Sequence, residues 1–161
     1  MSDEEDCREQ EIEALLQEAK RIACKYYRLT GKPLGVTGEV AEYEAAKYLK
    51  LKLAVARTPF FDAIGNEDGR EILYQIKGRA VDRGAHRRGR VGSIKLNGEF
   101  DAVLLVLLDK ETLDAIEIWK ASKQSIIDRI AGLVGAAPTQ RNALSISQFV
   151  SQATPAEKVW P

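Results

Sequence analysis

The run Ala-Val-Leu-Leu-Val-Leu-Leu at residues 102–108 limits what this chain can become more than any other stretch. Seven consecutive apolar residues leave no polar face, so a strand built from them must be covered on both sides. It is the longest such run, bounded by Asp101 and Asp109, and falls far short of the ~18 residues that a membrane span needs. The stretch therefore predicts the central strand of a layered sheet, and no membrane partner is expected.

The flanking pattern supplies the layers. Residues 4–29 carry Ile12, Leu15, Leu16, Ala19, Ile22, Ala23 and Tyr26 at helical spacing, and Gly31, Pro33 and Gly35 end that helix. Thr37 offers an N-cap for a second helix to about residue 51, with Val40, Ala41, Ala45, Tyr48 and Leu49 on its apolar face. Strand signals follow at 53–56, 61–64 and 71–77, and Gly65-Asn66-Glu67-Asp68-Gly69 has the residues of a hairpin connection. Residues 78–98 are rich in Arg and Gly without a clear period and read as a loop. After the central strand, residues 109–112 turn the chain into a strand over 113–119. A helix then starts at Ser122, with Ile126, Ile127, Ile130 and Leu133, and a short one covers 147–153 beyond Gly135 and Pro138. This order predicts an α/β fold: a mixed sheet flanked by helices, with an added N-terminal helix over 1–30. At 161 residues the chain is expected to be one domain, 1–161, with a genuine core.

Two cysteines, Cys7 and Cys24, are too few for a disulfide framework and lack metal-ligand spacing. The start is acidic (Asp3, Glu4, Glu5, Asp6), the opposite of a signal peptide. Both features predict a cytoplasmic protein. The formal net charge of zero conceals two opposed patches. Acidic residues crowd the first helix, while Lys77, Arg79, Arg83, Arg87, Arg88, Arg90 and Lys95 fall in one stretch relieved only by Asp82.

The residues that can carry chemistry lie around the hairpin. Gln75 and Lys77, at i and i+2 of a strand, project from one face while Ile76 turns to the core. The hairpin brings Asp62 beside them. A carboxylate, an amide oxygen and an ammonium then converge, which suits metal-assisted phosphodiester hydrolysis. Mg²⁺ takes hard oxygen ligands and keeps several waters. Asp62, the Gln75 side-chain carbonyl and the Ile76 main-chain carbonyl could supply them, and Lys77 could hold the attacking water and steady negative charge on the phosphoryl oxygens.

The stretch Gly38-Glu39-Val40-Ala41-Glu42-Tyr43-Glu44-Ala45-Ala46-Lys47-Tyr48-Leu49, then Asp62, then Gln75-Ile76-Lys77, resembles the PD-(D/E)xK nucleases, which include restriction endonucleases and archaeal Holliday-junction resolvases. The resemblance covers roughly residues 37–119. It implies a restriction-endonuclease-like fold, a Mg²⁺-dependent endonuclease (Mn²⁺ substituting) that hydrolyses DNA, Asp62 and Gln75 as metal ligands and Lys77 as catalytic lysine. It also implies a helix glutamate reaching the metal: Glu42 aligns best, with Glu39 as competitor. Many relatives cut two strands as dimers, so a homodimer is expected. A domain this small leaves base reading to DNA shape or to a protein partner. The resemblance departs in two places: Gln75 stands where the family has an acidic residue, and no helix is visible over 78–98 between the third and fourth core strands.

Gln75 motivates a rival expectation, a nuclease-like fold kept as a non-catalytic module that binds nucleic acid or a protein. Beside a nuclease site Arg79, Arg83, Arg87, Arg88, Arg90 and Lys95 would neutralise backbone phosphates; elsewhere they would be a solvated stretch. His86 is the only histidine, which removes His-based metal clusters and leaves no Ser-His-Asp triad. Gly31-Lys32 lacks the upstream glycine of a phosphate loop.

Overall fold

The apolar run forms β4 (Ala102–Asp109), and all eight of its residues are buried. The computed structural model describes residues 3–84, 88–133, 143–151 and 156–161. Among these, five further strands join β4: β1 (Lys52–Leu53), β2 (Ala63–Glu67), β3 (Arg70–Val81), β5 (Ala115–Ser122) and β6 (Glu157–Trp160). They form one mixed sheet ordered β1-β2-β3-β4-β5-β6, antiparallel throughout except that β3 and β4 are parallel.

Alternation along β4 divides its side chains between two cores. Leu104, Val106 and Leu108 join Ile76, Ile118 and the apolar face of α2 (Thr37–Leu49), namely Val40, Ala41 and Ala45. On the other face, Val103, Leu105 and Leu107 meet Ile126 of α3 (Lys123–Gly132) and Ile146 and Phe149 of α4 (Ile146–Phe149). Each such burial is worth about 1.5–3 kcal/mol, which is why seven apolar residues in a row fix the middle of the sheet. The expected mixed sheet flanked by helices is what forms. No helix of the described residues is long and apolar enough to cross a membrane.

The first helix, α1 (Asp3–Thr30), docks through a buried ion cluster as well as through Ala23. Lys20 Nζ lies 2.5 Å from Asp114 Oδ1 and 3.4 Å from Glu44 Oε1, with Lys20 and Glu44 both buried. Glu44 Oε2 accepts from the Ala115 N–H at 3.2 Å, so α1, α2 and the start of β5 are tied together. Removing Lys20 would leave the buried Glu44 carboxylate without its cation, at a cost of about 3–5 kcal/mol. An exposed pair, Lys47 to Glu13 at 2.8 Å, adds a second link between the helices.

Several boundaries differ from expectation, each for a local reason. Val36 rather than Thr37 holds the cap position of α2, and Thr37 is its first residue. The strand expected at 53–56 shrinks to β1, and that at 61–64 becomes β2 because the hairpin turn is narrower than five residues. Only Asp68 (φ 52°) and Gly69 (φ 81°) separate β2 from β3, both left-handed as a two-residue type I′ turn requires. Asn66 Oδ1 accepts from the Gly69 N–H at 2.9 Å and steadies it. Past Lys77, β3 continues to Val81 because β4 pairs with it from Tyr74 onward, so the first residues of the expected loop are strand. The strand expected at 113–119 is β5, and the helix expected at 147–153 is the shorter α4. Ser122 does cap α3, its side chain accepting from the Ser125 N–H. Unexpected altogether was β6, a four-residue edge strand beside β5 whose Trp160 stacks on Tyr48 of α2 at 4.0 Å between ring centres.

Candidate active site

β3 changes partner along its length, and the candidate site lies at the change. Residues 70–74 of β3 pair with β2, whereas 74–81 pair with β4. The β2 ladder stops at Ala63, opposite Tyr74, and Asp62 continues the job. Its N–H donates to Tyr74 O at 2.7 Å, its carbonyl accepts from the Ala54 N–H at 2.9 Å, and its carboxylate Oδ2 accepts from the Ile76 N–H at 2.7 Å. A backbone N–H that has parted from the neighbouring strand is satisfied by a side chain instead. Asp62 is thereby held against the Gln75–Lys77 segment, as the hairpin pattern predicts. Two residues earlier Phe60 adopts φ 74°, uncommon for an aromatic residue, and its ring lies so close to Gly98 that a Cβ there would come within 2.1 Å.

The strand pleat distributes the motif as expected. Ile76 enters the core beneath α2. Gln75, Lys77 and Arg79 share the opposite face, in register with Val103, Leu105 and Leu107 of β4. Gln75 is 2% exposed and engaged at both ends of its amide: Nε2 donates to Lys95 O at 3.3 Å and Oε1 accepts from the Lys95 N–H at 3.2 Å. Lys77 is half-buried, and burial holds its ammonium below its ordinary pKa. The negative charge of Asp62 opposes that fall, Lys95 and Arg79 add to it, and Glu42 opposes it.

α2 brings its own carboxylate to the same corner. Glu42 is half-buried, and its pKa is pushed up to about 7. Burial is the largest cause; the charges of Asp62 and Glu39 raise it further and Lys77 lowers it. Glu39 itself is exposed in the first turn of α2. The close approach of α2 rests on Gly78, where a Cβ would lie 2.5 Å from Ala41 Cβ and 2.7 Å from Thr37 O. This glycine belongs to the construction of the site, although its sequence neighbourhood reads as a loop. The signal that could have found it is a glycine directly after Lys77 in a strand pattern, which marks a close approach.

The basic residues divide into two groups. Arg79 is turned to the backbone, with Nε donating to Arg90 O and Nη1 to Gly78 O, each at 2.5 Å. Arg83 pairs with the buried Asp109. Arg88, Arg90 and Lys95 are exposed, and Lys95 adjoins the site through its backbone contact with Gln75. Arg87 and His86 lie outside the described residues.

Whether this corner suits a divalent cation can be judged from its donors. Among the described residues no three His, Cys, Asp or Glu side chains close into a metal cage. Mg²⁺ needs none, since one or two carboxylates with neutral oxygens and waters complete its shell. Asp62 and Glu42 are hard oxygen donors; burial first and then the charge of Asp62 raise the Glu42 pKa, and a nearby dication would offset both. The donor set fits.

No protein-family model matches the chain, and no curated protein matches it.

Proposed function

We propose that this chain is a metal-dependent endonuclease of the PD-(D/E)xK type, with a restriction-endonuclease-like fold, that hydrolyses DNA phosphodiester bonds. The observation that carries the reading is the convergence of Asp62, Lys77 and Glu42 where β2 and β3 part. Mg²⁺, or Mn²⁺ in its place, would be held by Asp62, the Gln75 side-chain oxygen and the Ile76 main-chain carbonyl, with Glu42 in support, and would polarise the phosphate and acidify a bound water. The chain's own groups do the rest. Lys77 orients the attacking water and stabilises charge that builds on the phosphoryl oxygens, an effect that partial burial strengthens. Glu42, ionised once a dication offsets its burial and the charge of Asp62, is suited to take up a proton from that water. The exposure of Glu39 favours Glu42 as the helix carboxylate. Arg88, Arg90 and Lys95 are free of competing side-chain ion pairs among the described residues and offer phosphate contacts, whereas Arg79 and Arg83 shape the loop.

One observation favours a second reading, a non-catalytic nucleic-acid-binding module. The Gln75 amide is held at both ends by Lys95, which leaves its oxygen one lone pair for a metal. Calorimetric titration with Mg²⁺ or Mn²⁺ separates the two. The enzyme reading expects saturable binding that Asp62→Ala abolishes. DNA retention with no metal binding in the wild type, together with cleavage gained in Gln75→Glu, would establish the module.

A further inference from the structure

α1 turns only one of its two apolar edges toward the protein. Lys20 and Ala23 are buried and Leu16 and Cys24 half-buried, all on the inner edge. Ile12, Leu15, Ile22, Tyr26 and Leu29 remain in solvent at 43, 60, 52, 39 and 77% exposure. With the half-buried Ala19 they recur in alternating steps of three and four residues, which is the a/d seam of a coiled coil. Scattered surface apolar residues need no explanation, but a continuous line of them marks a docking face.

The charges on the same helix identify what docks there. Residues 3–18 hold eight acidic side chains and one basic, whereas residues 19–30 hold four basic and no acidic ones. The helix dipole favours that order within one helix, yet it leaves the apolar seam unexplained. A complementary surface must present the reverse charge order along an apolar seam of equal length, and the same helix running antiparallel does so.

We propose that the outer seam of α1 pairs antiparallel with α1 of a second copy of this chain. A two-fold axis midway along the seam sets Ile12 against Leu29, Leu15 against Tyr26 and Ala19 against Ile22 of the second copy. Every a residue thus meets a d residue. Flanking the seam, Glu18 and Lys25 occupy equivalent positions and face each other across the axis, forming two symmetry-related ion pairs; among the described residues Glu18 has a loose contact with Arg21, at 3.7 Å. A parallel pair would instead set acidic halves side by side. The inference is independent of the chemistry proposed for the β2–β3 corner.

Sedimentation equilibrium of the full chain, from about 1 to about 200 µM, reads the association directly. The expected wild-type mass rises toward twice 17.9 kDa. Leu15→Glu and Ile22→Glu replace exposed side chains, so each should stay monomeric with an unchanged circular dichroism spectrum. Glu18→Lys should weaken association about tenfold by turning two weak attractions into repulsions, and Glu18→Lys with Lys25→Glu should restore it. A wild type that remains at 17.9 kDa, or association that survives both seam variants, overturns the proposal. Association indifferent to Glu18→Lys overturns the antiparallel arrangement.

Discussion

The Glu42 carboxyl is pushed up from 4.5 to about 7, first by burial and then by the charges of Asp62 and Glu39. Between these two values the unfolded chain gives up the proton while the folded chain keeps it. Stability is therefore complete below pH 4.5 and declines as pH rises through 7. Allowing for the solvent that still reaches this group, the loss is about 1–2 kcal/mol. Glu42→Gln removes the titration, so its stability relative to wild type in urea should be greater at about pH 8 than at about pH 5 by that amount. An equal difference at both pH values would show that the fold does not raise the Glu42 pKa. At this scale the sequence was informative where strand geometry alone decides: alternation and the hairpin put Asp62 beside Gln75 and Lys77. It could not separate Glu42 from Glu39, which lie three apart on one helical face and differ only in depth. Nor could it see that Arg79 and Arg83 have partners, since Arg90 O and Asp109 reach them only through the path of the folded chain.

At the scale of elements the site depends on how closely α2 lies on β3. Gly78 sets that separation, with the Thr37 carbonyl and Ala41 pressed against it. Gly78→Ala forces a methyl group into backbone, which should cost about 1–3 kcal/mol in urea unfolding and move α2 away from β3. Glu42 should then titrate nearer the ordinary carboxylate range, readable by NMR of its side chain. An unchanged pKa and unchanged stability would contradict this placement of α2. The sequence identified α1, α2, β4 and α3 because their periodicity or apolar continuity is strong. It lost the last third of β3, where Gly-Arg-Ala breaks the strand pattern and pairing with β4 decides instead. It also lost β6, too short and too charged at Glu157 and Lys158 to announce an edge strand. The ion cluster of Lys20, Glu44 and Asp114 was equally hidden, because its members are 24 and 94 residues apart in pairs.

Across the whole molecule a net charge of zero divides into an acidic half of α1 and an exposed basic segment at Arg88, Arg90 and Lys95. That segment reaches the Gln75–Lys77 face through the Lys95 backbone, so the surface proposed for phosphates adjoins the corner proposed for a dication. Binding of DNA there would weaken as salt rises, without reading sequence. The most direct test of the chemistry is nicking of supercoiled plasmid with Mg²⁺ or Mn²⁺, comparing wild type with Asp62→Ala and Lys77→Ala. The expected result is metal-dependent cutting by the wild type that falls at least about 100-fold in each variant. Cutting left intact by Lys77→Ala, or no cutting by wild type of plasmid, branched or single-stranded DNA, would contradict the assignment of these residues to phosphodiester hydrolysis.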